Sequence, residues 1–137
     1  MSSREKEVAD AFKNSKDSGT FVAYVDGKKF LGSTSVNFEM RHLNEFWVGG
    51  IQQNENWVSF SILSSLVGDG PHVVEYPSGS TYWDARIDGV WIPAEYGSSV
   101  TFTFFKDRHR IKGTINFVLR DGRKVTGEFD ISRHLSQ

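Results

Sequence analysis

The sequence predicts a single all-β domain, an antiparallel β-sandwich or flattened barrel of about eight to ten strands, with a short N-terminal helix. Three observations carry that expectation. Eleven Phe, four Trp and four Tyr, with thirteen Gly and only three Pro, suit a pleated, turn-rich chain. From Thr20 onward the apolar residues recur with a period of two. Asp-Gly and Pro-Ser-Gly signals then break the alternation into short runs. At 137 residues, with no internal repeat and no long polar linker, one domain accounts for the whole chain.

Only the first residues depart from period two. Ser2 followed by Glu5 has capping-box spacing, and Val8, Ala11 and Phe12 share one helical face. This predicts a helix over about 3–14, ending before Ser15–Gly19. Its thin apolar stripe suggests packing on an open end or edge of the β domain.

The strands follow in order. Phe21, Ala23 and Val25 alternate with Val22 and Tyr24 until Asp26-Gly27, and Val36, Phe38 and Met40 alternate with Asn37, Glu39 and Arg41. Phe46–Gln53 and Trp57–Ser64 come next, joined around Asn54-Glu55-Asn56. In the second, Val58, Phe60 and Ile62 point one way, and Ser59 and Ser61 the other together with Trp57. A loop at Val67–Pro71 leads into a short strand at His72–Tyr76, which Pro77-Ser78-Gly79 ends.

In the last sixty residues turn chemistry and hydrophobic parity check each other. A two-residue type I′ turn at Asp88-Gly89 pairs Ile87 with Val90, Ala85 with Ile92 and Trp83 with Ala94, so each pair shares a face. A tight turn near Asp107-Arg108 sets Phe104 against Ile111 and Phe102 against Gly113. The same two-residue arithmetic fails at Asp121-Gly122, where it would mix core and solvent faces. A three-residue loop, Arg120-Asp121-Gly122, with Gly122 left-handed in a bulge, restores the parity: Phe117 meets Val125, Ile115 meets Gly127, Gly113 meets Phe129 and Ile111 meets Ile131.

Composition argues against several function classes. Sixteen basic and seventeen acidic residues nearly cancel, so no global field draws a phosphate polymer, and nucleic acid is not the expected partner. Absence of Cys removes disulfides, thiol catalysis and thiolate metal sites. No apolar run approaches the roughly 20 residues of a membrane span, and Met1–Asp10 lacks an apolar signal core, so the expectation is a soluble, cytoplasmic protein unless a leader has been removed. His42, His72, His109 and His134 lie far apart, so neither a metal site nor a cofactor is expected. No Ser occupies a nucleophile elbow, and Gly68-Asp69-Gly70-Pro71 reads as a turn because Pro71 lacks an amide donor and no helix follows. Lys106, Arg108, His109 and Arg110 form one basic cluster and Arg120, Arg123 and Lys124 another; the meander puts them at opposite ends of one strand.

The most suggestive surface is the outer face of the Thr81–Tyr96 hairpin. Its register sets Tyr82 opposite Glu95 and Arg86 opposite Trp91, with Asp84 between these pairs. Interleaved aromatic, guanidinium and carboxylate groups suit a polar ligand or a partner loop, although such pairs also stabilise an ordinary wet sheet. Trp57, facing away from Val58, Phe60 and Ile62, is a second exposed-aromatic candidate.

The opening Phe21-Val22-Ala23-Tyr24-Val25-Asp26-Gly27, with the closing Gly113-Thr114-Ile115-Asn116-Phe117 and Gly127-Glu128-Phe129-Asp130-Ile131, resembles a group of small bacterial all-β domains of unknown function, many of them lipoproteins. The resemblance implies a β-sandwich fold and a bacterial origin, and no activity.

Three functions compete. The preferred one is a non-enzymatic binding or protein-interaction module, its partner a protein or a small molecule. A carrier would need an apolar pocket of roughly 300 Å³ or more, lined by residues such as Phe38, Phe60, Trp83 and Phe102. A hydrolase-type enzyme would need two of Glu39, Asp84 and Glu95 to converge in a cleft. Exposed sandwich edges also leave a homodimer open.

Overall fold

The computed structural model describes residues 2–41, 44–79 and 83–134. One helix, α1 (Ser3–Asn14), precedes eleven strands among these residues, more than the eight to ten expected. They form two antiparallel sheets. The six-stranded sheet has the order β2-β1-β11-β10-β9-β6, with β1 Ser18–Val25, β2 Lys28–Ser33, β6 His72–Glu75, β9 Ser99–Phe105, β10 Arg110–Val118 and β11 Lys124–Ser132. The five-stranded sheet has the order β3-β4-β5-β7-β8, with β3 Ser35–Arg41, β4 Glu45–Ile51, β5 Trp57–Leu63, β7 Asp84–Ile87 and β8 Val90–Pro93. The sheets face each other across a core rich in aromatic rings, so the fold is the sandwich.

The predicted registers appear as pairs in the sheets. Ile87 meets Val90 and Ala85 meets Ile92 across an Asp88-Gly89 turn in which both residues have positive φ, 51° and 85°. Phe117 meets Val125 and Gly113 meets Phe129 across the bulged turn, where Gly122 has φ 93°. Phe102 faces Gly113 and Phe104 faces Ile111, but the connecting turn is longer than expected: Phe105 pairs with Arg110, leaving Lys106, Asp107, Arg108 and His109 as the loop.

Three of those loop residues, Lys106, Asp107 and Arg108, are left-handed without being glycine. Such backbone persists only where its surroundings hold it, and Arg108 supplies the hold. Its guanidinium donates to the carbonyls of Ser64 (2.7 Å), Leu66 and Gly68, and lies 4.6 Å from the centre of the Phe104 ring. Arg108→Ala is therefore expected to cost about 1–3 kcal/mol in urea unfolding, with faster hydrogen exchange confined at first to residues 64–70 and 106–109.

β2 was not foreseen, for a local reason. Tyr24 pairs with Lys29 and Ala23 with Leu31, so Phe30 is an extra residue in a β-bulge. The bulge turns both Phe30 and Leu31 inward and destroys the alternation that would have marked a strand.

The sandwich manages its edges with side chains. On β3 the Phe38 amide donates to Asp17 Oδ2 at 2.7 Å. On β2 the Phe30 carbonyl accepts from Asn56 Nδ2 and the Gly32 amide donates to Gln52 Oε1, both at 2.9 Å. At the end of β8 the Pro93 carbonyl accepts from the Arg120 amide at 2.9 Å. β6 is four residues long and flanked by Pro71 and Pro77, neither of which has an amide hydrogen.

Candidate functional site

The surface singled out by the sequence is the seat of α1. The helix lies on the outer face of the five-stranded sheet, not on an open end or edge as its thin stripe suggested. Val8, Ala9 and Phe12 pack with Trp47, Ile51 and Trp57 into a second hydrophobic cluster. The Phe12 ring is tilted against Trp47, centres 4.9 Å apart, and sits over Gly49, where a Cβ would lie only 2.5 Å from the Phe12 ring. Trp57 is consequently 0% exposed, not the exposed aromatic its parity implied.

Charged contacts surround this apolar patch. Arg4 donates from Nε to Asp84 Oδ2 (3.0 Å) and from Nη2 to Asp84 Oδ1 (3.2 Å), and Trp91 Nε1 donates to the same Oδ2 at 2.9 Å. Ser59 Oγ accepts from Arg4 at 3.3 Å and from Trp47 Nε1 at 2.6 Å. Arg86 donates to Glu5 Oε2 at 2.8 Å, and Arg41 to Glu7 Oε2 at 2.8 Å. The guanidinium groups of Arg41 and Arg4 lie over indole rings: Arg41 is 4.4 Å from the Trp47 ring centre, and Arg4 is 5.5 Å from that of Trp47 and 6.0 Å from that of Trp57. Asp84, Arg86 and Trp91 share one face as expected, Trp57, a separate candidate by sequence, pairs with Arg86 on that same face, and the chain's own helix occupies it. Glu95 lies past the end of β8, its amide bonded to the Val118 carbonyl, outside this group. Tyr82 lies outside the described residues.

Asp84 is fully buried, and burial pushes its carboxyl up to about 6 from the usual 3.8, against the opposing pull of Arg4 and Trp91. Glu7 adds a further push in the same direction. Between these two values the folded protein keeps a proton that the unfolded chain has released. The group's contribution to stability is therefore full below pH 3.8, falls by about 3 kcal/mol as pH rises to about 6, and is flat above. Urea unfolding of the native protein and Asp84→Asn at about pH 4.5 and about pH 7.5 checks this: the variant should gain relative to the native protein at the higher pH, and an unchanged difference contradicts it.

Glu39 and Asp84 have separate immediate neighbours and are joined through the chain of contacts Arg41–Glu7–Arg4. The neighbours acting on Glu39, whose pKa burial raises, are Asn37, Arg41 and Asp17; those acting on Asp84 are Arg4, Trp91 and Glu7. The two sets share no member. Among the described residues no group of three or more His, Asp or Glu could hold a metal ion, and His42 lies outside them. No helix among them is long and apolar enough to cross a membrane.

The residues named for an apolar pocket fill the core instead. Phe38, Phe60, Trp83 and Phe102 are at most 1% exposed. Phe60 lies 6.0 Å from Trp83 and 5.5 Å from Phe129, Phe38 lies 6.4 Å from Phe104, and Phe102 lies 5.2 Å from Phe104. The basic clusters do sit at opposite ends of β10. Arg110 is paired with Asp130 (2.6 Å) and Arg123 with Asp121 (2.8 Å), as well as Arg108 being tied to its carbonyls.

A different site opens at the mouth of the sandwich, between the β2 edge and the β4–β5 and β7–β8 turns. It is a groove of 480 Å³ lined by Val25, Lys28, Lys29, Phe30, Leu31, Gly32, Gln52, Asn54, Asn56 and Asp88. Its size falls within the range of about 300–1,000 Å³ typical of ligand pockets. The bulge forms one wall, with Phe30 and Leu31 anchoring it in the core and only Phe30 keeping a small exposed edge. Gly32 has no side chain, and the Lys29 stem folds across the vacated space, its Cε 2.7 Å from where a Cβ would stand. Asn56, 2% exposed, holds the opposite wall: its Nδ2 donates to the Phe30 carbonyl (2.9 Å), and its Oδ1 accepts the Asp88 amide (2.8 Å). Sequence reading passed over this groove, because its residues are contiguous only across three separate turns. Lys28-Lys29 and Gln52-Gln53-Asn54 were the available signals.

Comparison with protein-family models, with curated proteins and with solved structures finds no match for this chain.

Proposed function

We propose that this domain is a non-enzymatic binding module and that its ligand site is the groove at the mouth of the sandwich. The observation that carries this reading is an open cavity of 480 Å³ whose walls are fixed by backbone and carboxamide hydrogen bonds while two ammonium groups line it. The hairpin face favoured by sequence is engaged by α1, and the aromatic core is filled. A pre-formed groove with a small apolar base and several polar groups on its rim is the arrangement that small-molecule sites share.

Native mass spectrometry of the protein purified from its own host tests the reading. A small molecule should accompany the native chain and be lost from Asn54→Trp, whose indole would fill the groove from an exposed turn. Retention of the same adduct by that variant would place the ligand elsewhere and contradict the proposal.

A further inference from the structure

The hydrogen bonds around the groove also decide which kind of ligand it can take. Only the oxygen of a carboxamide can accept a hydrogen bond, so each carboxamide that accepts a backbone N–H has a fixed orientation. Gln52 Oε1 accepts from the Gly32 amide (2.9 Å), Asn54 Oδ1 from the Asn56 amide (2.9 Å) and Asn56 Oδ1 from the Asp88 amide (2.8 Å). All three amide oxygens face inward on protein donors. Each of these oxygens thus has one of its two acceptor positions taken, so the NH₂ groups are the larger part of what Gln52 and Asn54 offer a ligand. Lys28 and Lys29 add two ammonium groups, and no described carboxylate lies within salt-bridge distance of either. Asp88 is the one acid in the lining.

The groove is thus rich in donors and poor in acceptors. Resting on the reading of this groove as the binding site, we infer that its ligand is a small anion with many acceptor oxygens, a carboxylate- or phosphate-bearing molecule such as an acidic or phosphorylated sugar. The ammonium groups take the anionic end through charge-assisted hydrogen bonds. The Gln52 and Asn54 amides take neutral oxygens, and the partly exposed edge of Phe30 supplies a small apolar contact. A neutral ligand would gain nothing from the two exposed ammonium groups, and a cationic one would be repelled by them.

Isothermal titration with three probes tests the inference: a hexuronate, a hexose phosphate and the corresponding neutral hexose. Either anion should bind and the neutral hexose should not, the stronger of the two identifying the anionic group. Lys28→Gln with Lys29→Gln, both exposed positions, should weaken the preferred anion at least about tenfold. Raising the salt concentration should weaken the native protein more than the variant. Equal affinity for the neutral hexose, lost in Asn54→Trp, would overturn the anionic class and leave the groove as the site. Binding of an anion unaffected by the double substitution, or binding of none of the three, would overturn the inference.

Discussion

Arg4→Ala is expected to cost about 3–5 kcal/mol at neutral pH, the penalty of leaving a buried carboxylate without its partner. Arg4 is the only cation that meets Asp84 bidentately among the described residues, and the Asp84 side chain is 0% exposed. With the guanidinium gone, the fold has two ways out. Asp84 keeps its proton to higher pH, or α1 lifts and lets water reach the carboxylate. Both make the penalty smaller near pH 5, where Asp84 is already protonated in the native protein, than near pH 8. Urea unfolding at about these two pH values, with hydrogen exchange of residues 3–14, measures it. A cost that is the same at both would show that the ion pair does not govern the docking.

Phe12→Ala is expected to cost about 3–5 kcal/mol by removing a fully buried ring from its contact with Trp47 and its seat over Gly49. The double variant distinguishes helix docking from two unrelated core defects. Either substitution alone goes far towards releasing α1, and a released helix has nothing further to lose. Arg4→Ala with Phe12→Ala should therefore cost clearly less than the two together. Strict additivity would mean that each residue acts on the sandwich separately.

How much of this was written in the sequence depends on whether a local rule could be checked against a second one. The Asp88-Gly89 and Arg120-Asp121-Gly122 hairpins were legible because turn type and hydrophobic parity had to agree. The helix was legible in its boundaries, since Ser2 and Glu5 do form the reciprocal capping box, but not in its position. Its position depends on β4, where every residue is buried. A strand buried on both faces needs a cover on each side, and on Glu45–Ile51 the missing side chain of Gly49 lets the Phe12 ring of the helix come close. Trp57 was misread for the same reason: parity puts it opposite the core, and parity does not say that the opposite face is also covered. The bulge at Phe30 hid β2 and with it one wall of the groove. The orientation of Gln52 and Asn54 depends on backbone donors supplied from another strand and turn, which no local pattern records.

On the proposal made here, the mouth of the sandwich presents amide donors to an anionic ligand. Side-chain NH₂ resonances in a ¹⁵N-labelled sample report on it directly during titration with the anionic sugar probes. The Gln52 and Asn54 NH₂ signals and the Gly32 backbone amide should move together and saturate, while the Asn56 NH₂, engaged by the Phe30 carbonyl, should move far less. Shifts that gather on the α1 seat, at Trp91 Nε1 and Arg86, with the groove amides unmoved, would contradict the account and return the function to the hairpin face.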